Sequence, residues 1–253
     1  MDTSNELGGK LLVLCVDGVD PDYAKELGFP KMSYESKLKI PKELYNESLG
    51  VPDTLLIWPS MLSGRIVTIA KEQLGPNIRL GEIRIPIRRF LHKYRIKWSR
   101  DTKNKKNWKT NPFNFNLETV AGKYNSIMWN IPTICPEFIS GCPTPEDMLR
   151  YGKHEYKTWK IITDGMCLYP HDLSMAYCHL PDFLGHLKKP VEDIYLDVHH
   201  HAMRLSKHRS VMLVSDHGCL DGEHTHNAYL GCTEPVEAEN VLEVRADIER
   251  ILS

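Results

Sequence analysis

Four short apolar runs constrain this chain more than any other feature. They are Lys10-Leu-Leu-Val-Leu-Cys-Val16, Asn125-Ser-Ile-Met-Trp-Asn-Ile131, Ser174-Met-Ala-Tyr-Cys-His-Leu180 and Ser210-Val-Met-Leu-Val-Ser215. The first ends at Asp17-Gly18, the second at Pro132, the third leads to Asp182, and the last ends at Asp216-His217-Gly218. Runs that are apolar on both faces suit strands covered by helices on both sides. Amphipathic stretches lie between them. Leu117 to Tyr124 is a short one. Pro190 to His208 is longer, with Val191, Ile194, Tyr195, Val198, Met203 and Leu205 spaced for a buried stripe. Strands alternating with helices predict an α/β fold, an α/β/α sandwich around a mostly parallel central sheet. Residues 65 to 165 fit that pattern less well and read as part sheet, part cap.

The chain has 253 residues, the size of one domain carrying an insertion. The expectation is a single domain over 1–253, with a basic cap or insertion at about 66–123. With 42% hydrophobic and 26% charged residues, it is neither disordered nor fibrous. No stretch approaches the ~20 apolar residues needed to span a bilayer. Leu11 to Val16 is too short for a secretory leader, so a cytoplasmic location is expected. Seven cysteines without a CxxC pair suggest reduced thiols.

The net charge of −1 conceals an uneven distribution. Eleven basic residues and one acid, Asp101, lie between Arg84 and Lys109, so the remainder is strongly acidic. This segment, which includes Arg88, Arg89 and Lys93, is expected to meet an anionic substrate or partner. Trp98 and Trp108 sit within it, and basic plus aromatic is also the composition of a single-stranded nucleic-acid groove. Nucleic acid is therefore a second candidate partner.

Ligand sites in open α/β sheets lie at the carboxyl ends of strands. Carboxylates far apart in sequence converge there. Asp17 follows the first run. Asp182-Phe-Leu-Gly-His186 offers a carboxylate and an imidazole four residues apart. Asp216 and His217 are adjacent, and His224 and His226 follow. Mixed carboxylate and imidazole donors suit zinc, and next manganese, better than magnesium or calcium. Six or seven such groups are too many for one tetrahedral ion and enough for two. Taken singly, each piece has a plain reading as a helix cap or a turn. Their joint occurrence is what makes the pattern specific. His199-His200-His201 read as a solvated helix face, and His171 and His179 have no partner in view.

Together these segments resemble the alkaline phosphatase superfamily, and within it the type I phosphodiesterase/nucleotide pyrophosphatase-like branch. Val16-Asp17-Gly18-Val19-Asp20 is similar to the opening metal-ligand strand. Thr54-Leu-Leu-Ile-Trp58, with Ser63-Gly64 closing the helix, is similar to the nucleophile segment. Asn130-Ile-Pro132-Thr-Ile-Cys-Pro136, Asp182-xx-Gly185-His186, Ser215-Asp216-His217-Gly218 and His224-Thr225 follow in the family's order. The resemblance implies two divalent cations, zinc foremost. One would be held by Asp17, Asp216, His217 and the Thr54 oxygen, the other by Asp182, His186 and His224. It implies a metal-dependent phosphoesterase acting on a nucleotide or other small phosphate ester through a phosphothreonine. Leu55 stands where many relatives have proline, so Ser60 is the competing hydroxyl. The choice of His224 over His226 follows the family's His-Thr pair. His226 is then expected to orient a ligand or meet substrate. A sulfatase reading fails because Cys142-Pro-Thr-Pro145 lacks the arginine of that motif. A phosphomutase reading normally needs a larger inserted domain.

Overall fold

Strand β1 (Leu11–Val16) lies inside the main sheet, and all six of its residues are buried. The computed structural model describes residues 9–28, 32–47, 49–67, 109–110, 118–132, 134–135, 139–141 and 144–253. After β1 the strands in chain order are β2 (Tyr34–Lys39), β3 (Tyr45–Asn46), β4 (Val51–Pro52), β5 (Lys109–Thr110), β6 (Ser126–Trp129) and β7 (Ile139–Gly141). They continue with β8 (Leu173–Cys178), β9 (Ser210–Val214), β10 (Cys219–Leu220), β11 (Glu223–His224) and β12 (Asn227–Cys232). The main sheet runs β2-β12-β9-β1-β8-β6. The four strands from β9 to β6 are parallel, whereas β12 is antiparallel to both β9 and β2. This is the mostly parallel α/β sheet expected from the apolar runs.

Alternation along β1 divides the core. Leu11, Val13 and Cys15 face a cluster built with the helices Thr54–Ser63 and Val244–Leu252. Leu12, Leu14 and Val16 face a second cluster built with Pro145–Leu168 and Glu192–Leu205. Helices thus cover both faces, which is why β1 and β8 carry no polar face. Each fully buried aliphatic side chain contributes about 1.5–3 kcal/mol relative to exposure.

Three expectations need correction. Of the stretch expected to be an amphipathic helix at Leu117–Tyr124, the described residues 118–124 form a 3-10 turn at Val120–Lys123. Residues 145–165, read as part sheet and part cap, instead lie in the 24-residue helix Pro145–Leu168, while most of the basic insertion at about 66–123 lies outside the described residues. Thr144 caps it by accepting from the Asp147 N–H at 3.1 Å, proline occupies its first turn, and Glu146 and Asp147 suit its positive end. Its buried face holds Gly152, Glu155, Tyr156, Trp159, Thr163 and Met166. Glycine, glutamate and threonine among them disguise the helical period. The third correction concerns the histidine triplet, of which only His200 is exposed. The helix Glu192–Leu205 packs against both the sheet and the long helix, so two of its faces are covered. His201 meets the Trp159 ring at 5.1 Å and Thr163 Oγ1 at 2.7 Å. Burial pushes its pKa down to about 4.

The register levels the strand ends. Val16 lies opposite Cys178, and Cys15 opposite Val214. Asp17 and Asp216 therefore leave the sheet at the same edge. Gly18 adopts φ +81° and bridges to Gly218. A Cβ on Gly18 would lie 2.5 Å from the Asp182 Cα, so only glycine lets the β1 end close against the Asp182 helix. Gly18→Ala is expected to cost about 2–4 kcal/mol, from the positive φ and from a backbone clash that no rotamer relieves. Urea unfolding checks this, and a loss below about 0.5 kcal/mol, the scale of an ordinary surface substitution, would refute it.

Candidate metal centre

Thr54 opens the helix Thr54–Ser63, but the cap is Asp53, whose side chain accepts from the Leu55 N–H at 3.0 Å. The Thr54 hydroxyl is thereby left to the strand edge, where Oγ1 lies 2.9 Å from His217 Nε2. Ser60 is fully buried, and its Oγ accepts from the Val67 N–H at 2.8 Å. Gly64, at φ +68°, ends the helix.

Around Thr54 the structure gathers residues from four separate segments. His217 Nε2 lies 3.4 Å from Asp17 Oδ1 and 3.5 Å from Asp216 Oδ2. Asp182 Oδ1 lies 3.4 Å from His186 Nε2 and 3.6 Å from His224 Nε2. The two imidazole Nε2 atoms of His186 and His224 are 2.9 Å apart. The His217 and His224 rings stack at 3.9 Å, so the two groups adjoin. Asp182 belongs to both: its donor atoms lie within 4.8 Å of those of Asp17 and His217 on one side, and of those of His186, Cys219 and His224 on the other.

Backbone carbonyls set the imidazole tautomers. His224 Nδ1 lies 2.8 Å from the Pro52 carbonyl, which can only accept. Nδ1 therefore carries the proton and Nε2 presents a lone pair to Asp182 and His186. His217 Nδ1 lies 3.2 Å from the Gly218 carbonyl, so its Nε2 is likewise free to accept. Burial first, and then the proximity of the His217 ring, bring the His224 pKa down to about 4. The ring is neutral at pH 7, as a metal ligand must be.

The carboxylates pull in opposite directions. Burial pushes the Asp17 pKa well up, and the nearby charges of Asp216 and Asp182 add to it. Burial also opposes ionisation of Asp182, but His186, His217 and His224 outweigh it and hold its pKa below the ordinary value. Among the described residues, no hydrogen-bond donor reaches Asp17 Oδ1, Asp182 Oδ1 or either oxygen of Asp216, all of them buried. Orphaned buried carboxylate oxygens are expensive, at several kcal/mol for a charge without compensation. A divalent cation would compensate them, and carboxylate oxygens with imidazole lone pairs are a suitable donor set. The residues present therefore fit such ions.

Neighbouring residues hold these side chains in place. Tyr177 donates to Asp17 Oδ2, which leaves Oδ1 turned toward His217. Trp58 packs edge-on against Tyr177 at 5.4 Å. Asp20 caps the helix Pro21–Glu26 and accepts from the Thr225 hydroxyl at 2.6 Å, tying the loop that carries His224 to the β1 end. His179 pairs with buried Glu155 at 2.8 Å, and Asn130 Nδ2 donates to the same carboxylate at 2.6 Å. Asn130 adopts φ +60°, a region asparagine tolerates. Spacing gave no sign of Tyr177, Glu155 or Cys219.

His226 points elsewhere. It is exposed and its ring stacks on Tyr45 at 5.5 Å. Arg88, Arg89 and Lys93 lie outside the described residues, as do Trp98 and Trp108.

No protein-family model matches the chain, and no curated protein does. Solved structures do. One similar chain is alkaline phosphatase from the Antarctic bacterium TAB5, at 10% identity and TM-score 0.49, with 98% of each chain covered. Another is a Pyrococcus horikoshii protein, at 10% identity and TM-score 0.46, with 97% of each covered. A third is murine ectonucleotide pyrophosphatase/phosphodiesterase 5, at 16% identity and TM-score 0.40, with 83% of this chain and 57% of that one covered.

The repulsion at Asp17 has a consequence for stability. A carboxyl whose folded pKa is raised binds more protons in the folded state than in the unfolded one. Stability then falls as pH rises from the unfolded value, about 3.9, through the raised folded value. At pH 7 in chelator, Asp17→Asn is expected to stabilise the protein by about 0.5–2 kcal/mol. The difference should vanish below about pH 4, where the carboxyl is protonated in both states. Urea midpoints with and without chelator test the sign, and a destabilised Asp17→Asn at pH 7 would refute it.

Proposed function

We propose that the chain is a metal-dependent phosphoesterase of the alkaline phosphatase type, closest to the phosphodiesterase/nucleotide pyrophosphatase branch. The reading rests chiefly on the buried carboxylate oxygens of Asp17, Asp182 and Asp216 that lack a hydrogen-bond donor, converging beside the Thr54 hydroxyl. Asp17, Asp216, His217 and the Thr54 oxygen would hold one divalent cation, and Asp182, His186 and His224 the other, with Asp182 between them. Such a pair of cations lowers the pKa of a bound hydroxyl and neutralises charge on a phosphate.

The chain's own groups supply the rest. Thr54 Oγ1 sits at the first residue of a helix, so a phosphate brought to it also meets the positive end of the helix dipole. His217 Nε2, 2.9 Å from that hydroxyl, keeps the Thr54 oxygen at the cation position they would share, and the hydroxyl proton passes to solvent. The Thr54 oxygen attacks phosphorus, an O–P bond forms, and the ester O–P bond to the leaving alcohol breaks as that alcohol takes up a proton. Water then attacks the phosphothreonine, breaking its Thr54 O–P bond; a diester substrate leaves as a phosphate monoester, a monoester as phosphate, and the hydroxyl is restored. Tyr177 keeps Asp17 in one orientation throughout. The substrate class is a nucleotide or another small phosphate ester.

A panel of aryl phosphate mono- and diesters, assayed with and without chelator, tests the reaction class. Thr54→Ala should lose on the order of 10³-fold or more in kcat while keeping its metal content. Turnover that survives in Thr54→Ala would remove it as nucleophile. Among the histidines, His224→Ala should lose about one metal equivalent and His226→Ala none, read by elemental analysis. The opposite result would transfer the ligand role to His226.

A further inference from the structure

We propose that Cys219 is a direct ligand of the second cation, making that half of the site a carboxylate–imidazole–imidazole–thiolate set. The inference rests on the two-cation reading above and deepens it. Neither the spacing of the motifs nor the resemblance pointed to a sulfur ligand. The geometry does. Cys219 Sγ, Asp182, His186 and His224 present four donor atoms that all lie within 4.8 Å of one another.

Three features place the sulfur there. Cys219 lies directly opposite His224 in the antiparallel pair of β10 and β11, so the register that aims His224 at Asp182 also fixes Cys219. The Cys219 N–H bonds the Gly18 carbonyl at 3.1 Å, which anchors the strand to the end of β1. Gly185 lies beneath it, and a Cβ there would come within 2.8 Å of Sγ and 2.2 Å of the Cys219 carbonyl oxygen. The glycine of Asp182-xx-Gly185-His186 is therefore what lets the thiol approach. The cysteine is a free thiol and fully buried. Asp182 Oδ1, within the same cluster, is buried and has no hydrogen-bond partner among the described residues, while the Cys219 thiol, in its protonated form, is within hydrogen-bonding reach of the Asp182 carboxylate, so sulfur and carboxylate already face one another. An unpartnered oxygen beside two imidazole nitrogens and a sulfur is completed by a cation.

The consequence is selectivity. Four mixed donors that include a thiolate favour zinc, cobalt or cadmium over magnesium and manganese, which prefer oxygen. Loading releases the thiol proton as the sulfur–metal bond forms, so no oxidant or reductant is needed.

The test uses the full chain stripped with chelator and reloaded with cobalt(II). A near-ultraviolet sulfur-to-cobalt charge-transfer band is expected in the wild type. In Cys219→Ser that band should disappear and cobalt affinity at one equivalent should fall by about 10–100-fold, the scale of a lost metal-site contact. If the wild type binds two cobalt ions without the band, or if the band persists in Cys219→Ser, the thiolate ligand is refuted and the two-cation reading stands. If the wild type binds no divalent ion, both fall together. Should Cys219→Ser fail to fold, zinc X-ray absorption on the wild type decides. A sulfur neighbour at about 2.3 Å supports the ligand, and a shell of only nitrogen and oxygen overturns it.

Discussion

Mutual repulsion among buried carboxylates governs this molecule. Asp17, Asp182 and Asp216 are each at least 94% buried and lie at one edge of one sheet. A fold selected for stability alone would not put them there. The arrangement persists because the sheet fixes the positions of Asp17 and Asp216. Asp182 is fixed by a helix that can approach only over Gly18. Most of what surrounds the site answers that repulsion. Tyr177 donates to one oxygen, three imidazoles face Asp182, and backbone carbonyls keep His217 and His224 in the tautomer whose Nε2 accepts.

The centre of the fold was legible because its strands are buried on both faces. A strand such as Leu11–Val16 can afford no polar residue, so its composition alone marks it. The edge was not legible. β2 reads Tyr-Glu-Ser-Lys-Leu-Lys and buries only Leu38, so nothing in it announces a strand. It pairs because β12 offers it a ladder, and that is a tertiary fact. The helix Pro145–Leu168 was hidden for a related reason. Its inner face uses Glu155 and Thr163 as packing residues, each satisfied by a specific partner that lies far away in sequence.

The site follows the same division. Asp17, Asp216 and His217 sit at strand ends, and Asp182 and His186 share one helical turn, so sequence order placed them. Thr54 could be picked out by resemblance but not by spacing, because Asp53 and Thr54 compete for the same cap. The structure gives the cap to Asp53. Spacing alone would aim His224 and His226 at one face of an extended segment; in the structure His224 turns to Asp182 and His186 while His226 stacks on Tyr45. Cys219 left no trace in the motif pattern, since its approach depends on the pairing of β10 with β11 and on a glycine in another element.

The position of β1 also sets an order of events. Among the described residues it precedes every other strand, yet both of its sheet neighbours come from about 160 and 200 residues further along the chain. On a ribosome this segment emerges with two open edges and a wholly apolar sequence, and it waits for β8 and β9 before either edge is covered. Such a segment is prone to wrong partners while it waits. The acidic carboxyl edge is assembled at the same late moment, by the same pairings. Assembly of this edge is therefore tied to synthesis through β9, and no fragment ending before that strand can form it.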